Sequence, residues 1–248
     1  MRVTFLGTNG WYDTETGNTT CTLLEAGPWR IFLDAGNGIR RIGRPLGDRD
    51  HPVQLFLSHF HIDHIAGLHI LGRFDFPGGL SIWGQPGTAE VLGGFIAAPF
   101  TVPLRDLPFP VTIRDLTEGT HHLPFTVTCR YLPHASPCLG YRFELEGLTI
   151  AYCTDTGPSD TVVELGRDAD LLIAESALRP GQDDGGWPHL DPGKAITLAK
   201  AAGARRLALT HFDAWAYRTL EEREQVREEL GESFPGLVVA TDGTVLEL

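Results

Sequence analysis

The sequence predicts an α/β protein in which two β-sheets stack face to face and helices cover their outer surfaces. Short apolar runs rich in β-branched and aromatic residues, bounded by Gly, Pro and Asp, occur along the whole chain and are typical of strands. Segments with helical character lie between groups of these runs. No Ser/Gly-rich linker divides the 248 residues, so we predict a single domain over residues 1–248.

The predicted strands form meander-like groups, which favours sheets that pack on each other. In chain order the predicted strands are Arg2–Leu6, Thr20–Glu25, Arg30–Leu33, Val53–Leu57, Leu80–Trp83, Val111–Arg114, Phe125–Tyr131, Leu139–Leu145, Leu148–Cys153, Leu171–Ala174, Arg206–Leu209, Leu237–Ala240 and Thr244–Glu247.

Helices are fewer than strands, and two of them carry clear start signals. Asp191 followed by Pro192 is typical of an N-cap and a first helical residue. Glu221 and Glu222 place negative charge where the dipole of the last helix favours it. The predicted helices are Ile62–Leu71, Gly87–Ala97, Ser159–Leu165, Pro192–Ala202 and Thr219–Leu230.

Composition limits the classes of protein to consider. No stretch approaches the ~20 apolar residues that cross a bilayer, and the start Met1–Gly7 is strand-like and too short for a signal peptide. We therefore expect a soluble, cytoplasmic protein without a membrane partner. The four cysteines lack CxxC spacing, which favours buried thiols over a disulfide framework. The formal net charge of −12 argues against binding of long nucleic acids, which depends on basic surface.

The run His59-Phe60-His61-Ile62-Asp63-His64 directly follows the apolar run 53–58, which contains the predicted strand Val53–Leu57. It places three imidazoles and one carboxylate at the end of a buried strand. Imidazole and carboxylate together are ligands of zinc, manganese and iron. Capping of a helix would explain Asp63 but none of the histidines. The run therefore predicts a metal site at the edge of a sheet.

Three further residues repeat this placement of a polar ligand after an apolar strand. His134 follows the strand that ends near Tyr131, Asp155 follows Leu148–Cys153, and His211 follows Arg206–Leu209. A single histidine at a strand end is more often a surface residue than a ligand. Together with the first run, however, these residues provide enough ligands for two ions.

With these motifs the chain resembles the metallo-β-lactamase superfamily, whose hallmark is HxHxDH. The resemblance extends from Phe5–Gly10 and Asp34 through the HFHIDH run to His211. It implies a four-layer αββα sandwich and two divalent metal ions. Zinc is the metal we expect, and manganese and iron are the alternatives. The resemblance also implies a hydroxide between the ions as the nucleophile, and Asp34 as a residue that orients a ligand. The implied ligands are His59, His61, His134 and Asp155 for one ion, and Asp63, His64, His211 and the shared Asp155 for the other.

Within this superfamily the chain is similar to the phosphodiesterase branch, which includes PhnP-type cyclic phosphodiesterases and ribonuclease Z. His189 and Glu175 match that branch's proton donor and the acid that positions it. The implied catalytic residues are therefore Asp63, His189 and Glu175. A proton donor makes chemical sense because a sugar alkoxide leaves poorly without one.

Ribonuclease Z enzymes commonly carry a long arm between the ligands that match His134 and Asp155. Here only residues 135–154, with two predicted strands, separate them, so the arm is absent. We therefore expect a metal-dependent hydrolase that cleaves a small or cyclic phosphodiester. An arm-less ribonuclease Z-like endonuclease stays an alternative, as does a lactone, thioester or β-lactam hydrolase. A homodimer is left open.

Candidates for stacking on a base or sugar are the aromatic residues next to the predicted site loops. They are Trp11, Tyr12, Phe60, Trp187, Trp215 and Tyr217.

Overall fold

The computed structural model describes residues 1–43, 46–182 and 185–248. Its strands are β1 (Arg2–Gly7), β2 (Asn9–Gly10), β3 (Cys21–Ala26), β4 (Trp29–Leu33), β5 (Val53–Phe56), β6 (Leu80–Gly84), β7 (Val111–Asp115), β8 (Gly119–His122), β9 (Thr126–Leu132), β10 (Cys138–Leu145), β11 (Leu148–Cys153), β12 (Leu171–Glu175), β13 (Leu207–Thr210), β14 (Phe212–Asp213), β15 (Leu237–Val239) and β16 (Val245–Glu247). Its α-helices are α1 (Ile62–Ile65), α2 (Thr88–Phe95), α3 (Asp160–Leu165), α4 (Pro192–Ala202) and α5 (Leu220–Leu230). Short 3₁₀ helices cover Asn37–Arg41, Ala66–Arg73, Leu104–Asp106 and Gly231–Ser233.

Two seven-stranded sheets contain most of these strands. The first has the order β16-β1-β3-β4-β5-β6-β7 and the second the order β15-β13-β12-β11-β10-β9-β8. Each sheet has an antiparallel part and a parallel part, the parallel neighbours being β4 to β7 in the first and β11, β12, β13 and β15 in the second. Strands β2 and β14 form a separate parallel ladder in which Phe212 pairs with Asn9. Parallel neighbours end at the same edge of their sheet, so the loops after β4 and β5 lie at one edge of the first sheet and the loops after β11, β12 and β13 at one edge of the second.

Three apolar clusters explain why the layers stack. The central cluster lies between the sheets and includes Phe5, Phe56, Tyr141 and Phe143. A second cluster joins the outer face of the second sheet to α3, α4 and α5, and a third joins the outer face of the first sheet to α2 and the 3₁₀ helices. Successive side chains of a strand point to opposite faces, so buried strands such as β11 contribute to two clusters at once. The predicted αββα sandwich is confirmed.

The predicted strands all appear, with bounds within one residue of the prediction. Three short strands, β2, β8 and β14, were not predicted. Two of them are only two residues long, and β8 has the sequence Gly-Thr-His-His, so none has the apolar alternation that identifies a strand.

The predicted helix Ile62–Leu71 is wrong in type over most of its length. Only α1 is α-helical, and Ala66–Arg73 continues as a 3₁₀ helix. The loop after β4 packs so closely here that a Cβ on Gly67 would lie 2.3 Å from the Gly36 carbonyl oxygen. Ala35 forms two backbone hydrogen bonds with this segment: its N–H donates to His64 O, and its carbonyl accepts from Gly67 N–H. These bonds replace the two that an α-helix would form.

Among the helices of the described residues, none combines the length and the apolar character that crossing a bilayer demands.

Candidate metal centre

The histidine-rich run begins where β5 ends and turns directly into α1. His59 lies three residues after the end of β5 and is fully buried, and its neighbour Ser58 donates its backbone N–H to Asp34 Oδ1 at 2.7 Å. His61 occupies the position before α1 with extended backbone, and the helix then places Asp63 and His64 on successive residues. The four side chains therefore leave one strand end in different directions.

The structure brings all seven predicted ligands into two adjoining groups. Within each group one ligand atom per residue lies within 4.8 Å of the others. The first group is His59, His61, His134 and Asp155, and the second is Asp63, His64 and His211. The division matches the one implied by the resemblance.

Asp155 faces both groups. Its Oδ2 lies 3.6 Å from His59 Nε2 and 3.7 Å from His134 Nε2. Its Oδ1 lies 3.0 Å from His211 Nε2 and 3.4 Å from His64 Nε2. One carboxylate oxygen is thus available to each group, which is the arrangement that a bridging ligand needs.

Three residues that follow strands at the site have backbone in the left-handed region that side chains rarely adopt. They follow β4, β11 and β13, with φ of 57° for Asp34, 54° for Asp155 and 54° for His211. Such backbone costs free energy and is concentrated at functional sites. At each of these positions the side chain contacts residues of the ligand groups.

Asp34 orients the imidazole of His64. Its Oδ2 accepts hydrogen bonds from Ser58 Oγ at 2.8 Å and Tyr152 OH at 2.7 Å, and lies 2.8 Å from His64 Nδ1. Because Nδ1 of His64 is held there, its Nε2 is directed at Asp155 and His211. This agrees with the orienting role that the resemblance implies.

Electrostatics favour positive charge in the second group. Burial lowers the pKa of His64, but Asp155, Asp34 and Asp63 outweigh that effect and raise it well above the usual value. In the first group burial lowers the pKa of His134 to about 4. That imidazole is neutral at pH 7, which is the form that binds a metal ion.

The donor set fits divalent metal ions. His59 Nε2 is buried and has no hydrogen-bond partner among the described residues, although it points toward Asp155. His64 Nε2 and His211 Nε2 lie 3.1 Å apart with carboxylate oxygens beside them. Imidazole nitrogens beside buried carboxylates provide nitrogen and oxygen ligands for zinc, manganese or iron.

The predicted pair of His189 and Glu175 lies beside the first and second groups. His189 Nδ1 is 2.8 Å from Glu175 Oε1, and the His189 ring centroid lies 5.4 Å from that of His134 and 6.3 Å from that of His211. Burial lowers the pKa of His189, while the hydrogen bond and charge of Glu175 outweigh it and raise the pKa to about 9.

Sequence reasoning missed how the loop between β1 and β3 contributes to the site. The backbone N–H of Trp11, with φ of 72°, donates to Asp63 Oδ2 at 2.8 Å. Gly10 packs against the imidazole of His211, where a Cβ would lie 2.6 Å from the ring. A backbone donor leaves no residue-type signal, so the resemblance at Phe5–Gly10 and the aromatic candidate Trp11 indicated that this loop is near the site but not what it does there.

The aromatic candidates differ in exposure. Trp11, Trp187 and Trp215 are exposed at 68%, 55% and 66%, and the Trp187 ring lies 6.3 Å from that of His61. Tyr217 is fully buried and donates its hydroxyl to Leu178 O, so its prediction as a stacking residue is wrong.

The fold and the two ligand groups define a candidate metal centre, and sequence comparison identifies the family of the chain. The family model of a β-lactamase superfamily domain matches residues 29–212. The chain belongs to the metallo-β-lactamase superfamily, and the comparisons support a hydrolase that uses divalent metal ions.

Two curated proteins and two solved structures illustrate the similarity. A ribonuclease Z of Methanosarcina acetivorans is 26% identical over 310 aligned positions, covering 100% of this chain and 98% of that protein. The probable metallo-hydrolase YhfI of Bacillus subtilis is 28% identical over 260 positions, covering 100% of both. The crystal structure of YhfI has a TM-score of 0.79 at 24% identity, covering 100% and 99%. A diphosphatase from the PhnP family has a TM-score of 0.73 at 20% identity, covering 100% and 97%.

Proposed function

We propose that this protein is a phosphodiesterase that uses two divalent metal ions to cleave a small or cyclic phosphodiester in the cytoplasm, with His189 as the proton donor. The observation that carries the proposal is the His189–Glu175 pair beside the ligand groups. Glu175 holds Nδ1 of His189, which leaves Nε2 free to give a proton to a departing oxygen. Hydrolysis of a thioester has less need of such a donor, because a thiolate leaves readily without a proton.

The proposed ligands are His59, His61, His134 and Asp155 for one ion, and Asp63, His64, His211 and Asp155 for the other. When bound, two such ions lower the pKa of a shared water and polarise the phosphoryl group. Zinc is our first choice, and manganese or iron suits the same mixture of nitrogen and oxygen ligands.

The chain's own residues supply orientation and the proton. Asp34 fixes the imidazole of His64, and the Trp11 N–H fixes the carboxylate of Asp63. Glu175 fixes His189 so that its free nitrogen faces the site. The alkoxide released when the phosphorus–oxygen bond breaks takes its proton from that nitrogen.

A small substrate is supported by what lies between His134 and Asp155. Strands β10 and β11 form a hairpin there, joined by a tight turn at Glu146 and Gly147 with φ of 52° and 75°. The formal net charge of −12 also disfavours a long polyanion. We therefore propose that no long nucleic acid and no membrane is a partner.

One observation keeps an arm-less RNA endonuclease as the second candidate. The ribonuclease Z relative aligns over 100% of this chain. That alignment spans 310 positions against the 248 residues here, so the relative carries segments that this chain lacks. The YhfI alignment, at 260 positions, involves far smaller differences in length.

A substrate panel with metal-reconstituted protein tests the proposal. We expect cleavage of bis-p-nitrophenyl phosphate and of a 2′,3′- or 3′,5′-cyclic nucleotide, without cleavage of a pre-tRNA or a lactone. Efficient cleavage of pre-tRNA would establish the second candidate, and turnover of the lactone alone would refute both.

The variant His189→Ala tests the proton donor directly. A sugar alkoxide requires a proton to leave, whereas p-nitrophenolate leaves readily as an anion. We expect a loss of about 10²–10⁴-fold in kcat for the cyclic nucleotide and a much smaller loss for bis-p-nitrophenyl phosphate. Equal losses for the two substrates would contradict the role of His189.

A further inference from the structure

Arg223 is a fully buried arginine on an otherwise highly charged surface helix. In the sequence it is one of several charged residues of α5, and nothing distinguishes it from Glu224 or Arg227. In the structure it has no exposed surface, and burial lowers its pKa to about 10. No ion pair of its guanidinium with a carboxylate is found among the described residues. A buried charge of this kind is costly unless hydrogen bonds and close contacts offset its desolvation.

The guanidinium of Arg223 binds the loop between β1 and β3. Nη1 donates to Thr8 Oγ1 at 3.1 Å, and Nη2 donates to Asn9 Oδ1 and to Thr16 Oγ1. Its Cζ also lies 4.9 Å from the ring centroid of Phe212. Asn9 and Phe212 are partners in the β2–β14 ladder, so one side chain contacts both members of a pair.

Asp242 holds the same loop from a second direction. Its Oδ1 accepts from the backbone N–H and the hydroxyl of Thr8, both at 2.9 Å. Its Oδ2 accepts from the backbone N–H of Asn18 at 2.8 Å and from the Asn18 side-chain amide at 2.6 Å. Residues 8–18 are therefore fixed at both ends by two opposite charges that share the Thr8 hydroxyl.

The other side of this loop faces the metal centre. Trp11 donates its N–H to Asp63, and Gly10 packs against the ring of His211. His211 is itself the residue directly before Phe212, on which Arg223 lies. The loop therefore lies between Arg223 on one side and the ligand residues Asp63 and His211 on the other.

We infer that Arg223 is a positioning residue for the Asp63–His64–His211 group. By clamping the β2–β14 ladder, it sets the distance between Asp63 and His211 and so the affinity of this group for its ion. The first ligand group has no contact with this loop among the interactions described above, and it is expected to be insensitive to Arg223. This inference depends on the proposed function only in that the second group holds a metal ion.

The test compares Arg223→Lys and Arg223→Met with Val226→Ala, which removes buried apolar contact from the same helix. Lysine keeps the charge but cannot reach Thr8, Asn9 and Thr16 together. We measure Mn²⁺ stoichiometry and affinity on the folded proteins by competition with a chelator, and record the electron paramagnetic resonance spectrum. Hydrogen exchange of the segments 8–18 and 211–217 is measured in metal-free protein.

For Arg223→Lys we expect one tightly bound Mn²⁺ per chain, a second bound about tenfold or more weakly, and a spectrum of isolated instead of coupled Mn²⁺. We also expect faster exchange in both segments. The control Val226→Ala should lower the melting temperature while keeping two ions and slow exchange. Two ions of unchanged affinity in Arg223→Lys would overturn the inference.

The exchange measurement separates this inference from the proposed function. If the wild-type protein binds no metal, the proposed function is wrong. In that case hydrogen exchange still tests whether Arg223 holds the loop, and an unchanged exchange rate in Arg223→Lys would refute that role as well. If Arg223→Met does not fold, Asp242→Asn, which weakens the other end of the network, is expected to accelerate exchange in residues 8–18. Slow exchange in that variant would also count against the inference.

Discussion

Nδ1 of His189 lies 2.8 Å from Oε1 of Glu175, and the same carboxylate accepts three backbone N–H groups. The backbone donors are Thr156, Ala177 and Leu190, which belong to the loops after β11 and β12 and to the segment before α4. Glu175 is fully buried. One side chain therefore aligns the proposed proton donor and joins three loops of the site.

The variant Glu175→Gln should impair both functions of this carboxylate. An amide of the same size presents an N–H group where an oxygen accepts hydrogen bonds, so at least one donor loses its partner. We expect kcat for a cyclic nucleotide to fall about ten- to hundredfold, and the free energy of unfolding to fall by about 1–3 kcal/mol. Steady-state kinetics and urea unfolding check the two effects.

The matched control is Glu164→Gln, since Glu164 forms its ion pair with Arg130 on a half-exposed surface. It should change neither kcat nor stability measurably. A Glu175→Gln protein that is folded and has wild-type kcat would show that Glu175 does not position His189.

The variant Asp34→Asn should weaken metal binding without removing a ligand. Asp34 accepts hydrogen bonds from Ser58 and Tyr152 and holds Nδ1 of His64, so an amide disturbs the orientation of that ring. Losing such an orienting partner typically costs about ten- to hundredfold in metal affinity. Competition with a chelator measures the effect.

Asp170→Asn serves as its control, because Asp170 likewise accepts a backbone N–H, from Thr149, but lies outside both ligand groups. Unchanged affinity in Asp34→Asn, with normal folding, would contradict the orienting role.

Most of the fold and the candidate ligands were predictable because both depend on local pattern. Apolar strands such as β5 and β11 have strong periodic or continuous signals, and ligands at their ends are visible as residue types. The resemblance then assigned partners to strands that are far apart in sequence. Spacing alone could not have paired His134 with His59.

What the sequence did not reveal depends on contacts between distant segments. The 3₁₀ continuation after α1 follows from close packing of Gly67 on the loop after β4. The burial of Arg223 follows from where α5 docks, and its sequence neighbours are two acids, Glu222, which is half-buried, and Glu224, which is exposed. The short ladder of β2 and β14 forms only because two loops meet beside His211.

Metal ions should stabilise the fold as well as supply chemistry. Asp63 and Asp155 are buried carboxylates that lie against the ligand histidines, and an ion that binds this folded arrangement but not the unfolded chain stabilises the fold. An ion at one hundred times its dissociation constant stabilises the folded state by about 2.7 kcal/mol per site. We therefore expect the melting temperature to fall when a chelator removes the metal and to recover when Zn²⁺ or Mn²⁺ is added.

In Asp155→Asn this response to metal should be largely lost, because Asp155 faces both ligand groups. Differential scanning calorimetry checks the prediction. A melting temperature that is insensitive to chelator and metal in the wild-type protein would argue against resident ions.

Trp187 is the aromatic residue best placed to bind the base of a nucleotide substrate. Its side chain is 55% exposed, its ring lies 6.3 Å from that of His61, and it lies two residues before His189. Stacking of a base on an aromatic ring contributes about 1–3 kcal/mol. In Trp187→Ala we expect KM for a cyclic nucleotide to rise about tenfold, since 1.4 kcal/mol corresponds to a factor of ten.

Because the ring takes no part in proton transfer, kcat should change little. Trp187→Phe keeps an aromatic face and should restore most of the affinity, whereas a purely structural role would not favour phenylalanine over another apolar residue such as leucine. A substrate without a base, such as methyl p-nitrophenyl phosphate, should show a much smaller change in KM. An equal change in KM for both substrates would place Trp187 outside the base-binding surface and move attention to Trp11 and Trp215.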